Sequence, residues 1–169
     1  VAACVQTAYE HDGPVYIKIG MNHEKEYFED NYVHDIKKSD CLRDGKNIAV
    51  FVTGSILDET VKACEMLEHE GISTKLINVT TIKPFNEKEV IDIVKEIDTV
   101  AVVEEHNIHG GLASIISETI TYNGLNAKVI PIGLKDTFAE GYGTYAMVRK
   151  ANQLDALNIY QRMKEAYEE

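Results

Sequence analysis

Positive charge is scarce in this chain. Lysine and arginine total 17 against 28 aspartates and glutamates, a net charge of −11. Such a field repels a phosphate backbone, which excludes nucleic acid as a partner and fits a soluble cytoplasmic protein. Cysteine is scarce too. Cys4, Cys41 and Cys64 are odd in number and match neither a zinc ribbon nor a redox CxxC, so a reducing compartment is expected. No apolar run approaches the roughly 18 residues that span a bilayer, and no basic-then-apolar leader is present; no membrane partner is expected. The dinucleotide GxGxxG, the phosphate-loop GxxxxGK[ST] and the zinc-protease HExxH are all missing. No Ser/His/Asp or Cys/His nucleophile arrangement stands out either.

What is present is an ordinary globular composition. The chain has 169 residues, 44% of them hydrophobic, enough for one domain and a little more. It opens at Val1 inside a helical pattern, VAACVQTAYEH, which predicts a piece of a longer protein or a trimmed chain. Asp12-Gly13-Pro14 is a turn signal, VYIKI (residues 15–19) reads as a strand, and Gly20 closes it. Residues 21–45 are polar and acidic with no helical face, and read as a linker; YVHDI within them is a candidate short strand.

From Lys46 the pattern becomes regular. NIAVFVT, STKLINV, TVAVVEE and AKVIPIG are near-continuous Val/Ile/Ala runs, as expected of strands covered on both faces. Between them lie helical periods. Leu57, Val61, Cys64 and Leu67 share one face, and Gly71 ends that helix. Cys64 is expected to be a small core residue. Asn86 with Glu89 resembles a capping box opening the helix that buries Val90, Ile91, Val94 and Ile97. Gly110-Gly111 precedes a third helix with Leu112, Ile115, Ile116 and Thr119 inward. A glycine-rich loop, FAEGYGTY, leads to a last helical region. Strand and helix alternate, so the expected fold is three-layer α/β/α with a mostly parallel sheet.

The densest group of reactive side chains is VVEEHNIHGGLAS, residues 102–114. His106 and His109 are three apart, but they lie between a strand and a glycine pair and not along a helix, so a metal site is not expected. Glu104 and Glu105 are neighbours on a strand and point to opposite faces, which prevents them from working as an acid/base pair on one substrate. The stretch is expected to end the third strand and launch a helix through Gly110-Gly111. Gly54-Ser55 is similarly a strand-to-helix turn. It is able to meet an anion, and a tight turn is the plainer reading.

Five blocks in order carry a resemblance: GPVYIKIG; DGKNIAVFVTGSILDETVKACEMLEHEGISTKLINVTTIKPFN; VAVVEEHNIHGGLASIISE; VIPIGLKDTFAEG; and the acidic stretch between the first two. Together they resemble the C-terminal section of transketolase-type thiamine diphosphate enzymes, above all the separately encoded C-terminal subunit. The 1-deoxyxylulose-5-phosphate synthases and 2-oxoacid dehydrogenase beta subunits share the pattern and are the alternatives. A free-standing small-molecule-binding or interaction module is the alternative of another class.

The resemblance implies a five-stranded sheet with one antiparallel edge. It implies residues 1–20 as the tail of a pyrimidine-binding domain, 21–45 as linker and 46–169 as the transketolase C-terminal domain. It implies ketol transfer between sugars, with thiamine diphosphate and Mg²⁺ in the complete enzyme. No catalytic, cofactor-binding or metal-ligating residue of that family maps onto this chain, so the isolated chain is expected to be inactive. The implied partner is an N-terminal transketolase section or subunit, in a homodimer or heterotetramer. Glu105, His106, Gly110 and Gly111 are expected at an interface. Relatives commonly place a phosphate-gripping arginine just after the strand matching VYIKIG. Here that position is Met21, whose thioether makes no charge-assisted contact. Met21 and His23 are thus the expected substrate-proximal residues, with Lys18 the other cation at hand, and an unphosphorylated ketol donor stands beside a sugar phosphate.

Overall fold

The computed structural model describes residues 1–20 and 25–169. The elements run α1 (Ala2–Glu10), β1 (Asp40–Arg43), β2 (Ile48–Thr53), α2 (Leu57–His69), β3 (Thr74–Asn78), α3 (Glu87–Val94), β4 (Thr99–Asn107), α4 (Leu112–Tyr122), β5 (Lys128–Leu134), α5 (Tyr145–Ala151) and α6 (Ala156–Glu168). One sheet of five strands has the order β1-β3-β2-β4-β5. β1 pairs antiparallel with β3, and the other pairings are parallel. The mostly parallel sheet with one antiparallel edge is therefore as expected.

Alternation along the central strands builds two cores. Val50, Val52, Ala101 and Val103 face α2 and α6, where Cys64, Leu67, Ile159 and Met163 fill the space. Ala49, Phe51, Val100 and Val102 face α3 and α4, where Val90, Val94, Leu112 and Ile116 answer them. Each such side chain removed from water contributes about 1.5–3 kcal/mol. The continuous apolar runs of β2 and β4 are thus the mark of central strands with helices on both sides. Cys64 is fully buried, and burial pushes its thiol pKa up to about 11. On α4, Ile115 is only half-buried, and Ala113 and Ile120 are the additional inward residues. At α3 one arm of the capping box forms: Asn86 accepts from the Glu89 backbone N–H at 3.3 Å. The Glu89 carboxylate instead accepts from the Ser39 N–H at 3.3 Å.

Four expectations change. VYIKI belongs to no strand ladder among the described residues, with Val15, Tyr16 and Ile19 exposed. A strand needs a hydrogen-bonded neighbour, and this sheet offers it none. YVHDI is not a strand either. The antiparallel edge strand is β1, which lies inside the span expected to be a linker. An edge strand of four residues, half-exposed, carries too little alternation to be read. The last helical region is two helices, α5 and α6, separated by Gln153 at a φ of +57°.

The described residues before β1 contribute nothing to the two hydrophobic cores. No residue of α1 is buried. Thr7 donates to the His34 carbonyl at 3.0 Å. The buried His34 ring sits between the Tyr32 and Thr81 hydroxyls, each at 3.4 Å. Tyr32 donates in turn to Asp40 of β1 at 2.8 Å, and Tyr27 donates to Asp58 in the first turn of α2.

Candidate functional site at the carboxyl edge of the sheet

The connection from β2 leads to β3 on one side, whereas β4 lies on the other. In a doubly wound sheet this reversal opens a crevice at the carboxyl ends of the two central strands, the usual place for a ligand. Glu104 is paired with Thr53 on the last rung joining β2 and β4, and Glu105 follows it. These two carboxylates therefore stand in the crevice, on opposite faces as the alternation requires.

Glu104 is fully buried on the α4 face. Its Oε2 accepts the Leu112 N–H at 2.7 Å and its Oε1 the Ala113 N–H at 3.2 Å. These are orphan donors of the first helical turn. The helix has no acidic residue in that turn and no side-chain cap of its own, so the strand supplies the anion that the helix terminus favours. His106, two residues on and on the same face, places Nε2 at 2.9 Å from the same Oε2, with its side chain about half exposed at 47%. A Cβ on Gly111 would lie 2.1 Å from Glu104 Oε2. Gly111 is therefore glycine because the carboxylate occupies the space its side chain would need.

Glu105 turns toward α2 and α5. Its side chain is 18% exposed, with Lys18 Nζ at 3.4 Å and Arg149 Nη2 at 3.5 Å. The Ser55 hydroxyl donates to its Oε2. Arg149 Nη2 also donates to the Ser55 carbonyl at 2.8 Å and reaches the Ser55 hydroxyl at 3.0 Å, and the guanidinium lies 5.0 Å from the Tyr145 ring. Burial alone would raise the Glu105 pKa. The Ser55 hydrogen bond and the charges of Lys18 and Arg149 outweigh it and hold the carboxyl below its ordinary range.

The sequence-predicted residues thus divide. β4 runs on to Asn107, two residues past the expected end, so His106 is on the strand and His109 in the turn after it. His109 donates its backbone N–H to Asn107 Oδ1 at 2.8 Å. Gly110 has a φ of +76° with open space around it, and its N–H donates to the Ser114 hydroxyl at 2.8 Å. Among the described residues no group of three His, Cys, Asp or Glu side chains is placed to hold a metal ion. Met21 and His23 lie outside the described residues. Sequence reasoning missed Arg149, which lies 44 residues beyond Glu105 with a helix and a strand between them. The available signal was a scarce arginine one helical turn after Tyr145.

The family model described as "Transketolase, C-terminal domain" matches residues 37–159. A protein of Methanocaldococcus jannaschii named as a transketolase C-terminal section is 34% identical over 163 residues, covering 95% of this chain and 50% of that protein. A 1-deoxy-D-xylulose-5-phosphate synthase of Dictyoglomus thermophilum is 33% identical over 165 residues, covering 93% of this chain and 26% of the synthase. A solved structure of a split-gene transketolase, an inactive beta4 tetramer, superposes with a TM-score of 0.90 at 26% identity, covering 98% of this chain and 54% of that one. The chain thus spans about half the length of the Methanocaldococcus protein and of the solved chain, and a quarter of the synthase.

Proposed function

Since this chain belongs to the transketolase C-terminal domain family, we propose that it forms the C-terminal part of a transketolase-like enzyme and serves there in structure and assembly. The complete enzyme is proposed to transfer a ketol group between sugars, with thiamine diphosphate and Mg²⁺ held outside this chain. The observation that carries this reading is the filled crevice. Where an open α/β sheet usually takes its ligand, Glu104 caps α4 and Glu105 engages Ser55, Lys18 and Arg149. Two carboxylates there do not suit a diphosphate, and among the described residues no trio of side chains suits its metal. When bound, thiamine diphosphate supplies the carbanion chemistry. This chain's own residues hold the domain edge rigid and present its surface to the remainder of the enzyme.

The proposed organisation keeps residues 1–20 as the tail of a preceding domain. The exposed Val15, Tyr16 and Ile19 support it, because an unpaired apolar segment lacks the sheet it is built for. Glu105, His106, Gly110 and Gly111 are proposed to lie at or beneath the contact with the N-terminal section, in a homodimer or heterotetramer. A cytoplasmic setting is part of the same proposal, supported by three free cysteines. No helix among the described residues is long and apolar enough to cross a membrane.

Calorimetry and reconstitution test the reading. The isolated chain is expected to show no thiamine diphosphate binding, and mixing with the N-terminal section is expected to restore ketol transfer; tight binding by the chain alone overturns the assignment. His106→Ala in the complete enzyme is expected to weaken assembly before it slows turnover. Lost turnover with assembly intact removes His106 from the interface. The synthase similarity supports the same role within one continuous polypeptide, and the reading frame upstream distinguishes the two arrangements.

A further inference from the structure

We propose that the corner formed by Ser55, Arg149 and Lys18 is an oxyanion-binding site that the chain fills with its own Glu105, and that a small carboxylate or phosphate takes this place once that side chain is removed. The argument starts from the donors. Arg149 is 15% exposed, so its charge is largely withdrawn from water and needs an anion. Its Nη2 meets Ser55 and Glu105, while its Nε is buried without a partner among the described residues. A guanidinium recognises an oxyanion best with two parallel N–H groups. Glu105, tethered to β4, stands 3.5 Å from Nη2 and leaves Nε without a partner among the described residues. A free oxyanion has no tether and is able to satisfy the fork.

The second argument is position. The corner follows β2 at the point where the sheet order reverses, and Glu105 is held there by a hydroxyl and two cations, which is the chemistry of a bound ligand. The consequence in the natural protein is that this crevice is closed to anionic effectors. The cations that would bind them instead tie the 14–20 segment, through Lys18, to the end of β4. The proposal does not depend on the enzyme class, since the donors are all in this chain.

The test compares the intact protein in its natural assembly with the Glu105→Ala variant. Each is heated in phosphate, in acetate and in chloride at matched ionic strength. At about 50 mM oxyanion, roughly ten times a millimolar-range Kd, the variant is expected to gain about 3 °C in Tm over chloride. The wild type is expected not to respond. The Glu105→Ala/Arg149→Met double variant is expected to lose the gain, and a crystal of the single variant grown in phosphate is expected to show the anion against Ser55 and Arg149. A variant recovered folded only in phosphate or acetate supports the proposal equally. No oxyanion-specific gain, the same gain in wild type or in the double variant, or a variant that stays unfolded with and without oxyanion each overturns it.

Discussion

Replacing Gly111 with alanine is the sharpest perturbation of this domain, because a single methyl group meets a buried charge. The added Cβ would stand 2.1 Å from Glu104 Oε2, 2.8 Å from its Cδ and 2.9 Å from His106 Nε2. Non-bonded Cβ atoms do not approach closer than 3.0 Å, so the carboxylate must move by roughly 1 Å in a packed interior. That displacement breaks the bonds from Leu112 and Ala113, each a charge-assisted contact worth about 1.5–3 kcal/mol. It also leaves a fully buried carboxylate without its donors. The expected loss is about 3–5 kcal/mol, or a fall in Tm of roughly 10 °C for a chain of this length. Backbone strain plays no part, since Gly111 has a φ of −95°. Gly110→Ala is the internal control. Its φ is +76° but the space is open, so only the left-handed conformation is penalised, by about 1–2 kcal/mol. A double-mutant cycle completes the assay. In a Glu104→Ala background the methyl group has room, so the two substitutions should be strongly non-additive. Thermal or urea unfolding of the four proteins checks it. If Gly111→Ala costs no more than Gly110→Ala, or if the cycle is additive within about 0.5 kcal/mol, the strand-supplied cap is not what fixes this glycine.

Other outcomes follow from the same structure. Gly45→Ala would drive its Cβ to 2.3 Å from the Thr74 carbonyl carbon; backbone cannot rotate away, so a loss of about 3 kcal/mol is expected by chemical denaturation. Glu105 has a folded pKa below its ordinary 4.5, so its contribution is complete above that value and is lost as pH falls through the folded value. Glu105→Gln should therefore flatten the acid limb of the stability profile, and an unchanged limb refutes the pairing. With a thiol reagent at pH 8, exposed Cys41 should react in the folded protein, whereas Cys64, with its pKa pushed up to about 11, should react only on unfolding. Fast labelling of Cys64 would mean that α2 opens locally.

The legibility of the sequence varied with how deeply each element is buried. β2 and β4 were visible as continuous apolar runs, and their central position is why: both faces are covered, so every residue carries the signal. β1 was invisible because an antiparallel edge strand of four half-exposed residues needs no apolar pattern to pair. VYIKI shows the converse, a strand-like pattern that forms no ladder among the described residues.

The same division runs through the site. Two neighbouring glutamates on one strand must face opposite ways, so the separation of Glu104 from Glu105 was fixed by the sequence alone, as was the glycine pair that starts α4. What each carboxylate does was decided by tertiary structure. Glu104 caps a helix eight residues later because β4 and α4 pack at one end of the sheet. Glu105 meets Ser55, Lys18 and Arg149, which are 50, 87 and 44 residues from it in the chain. Local pattern specifies the direction of a side chain, whereas the distant charges that meet it are set only when the crossovers close the sheet.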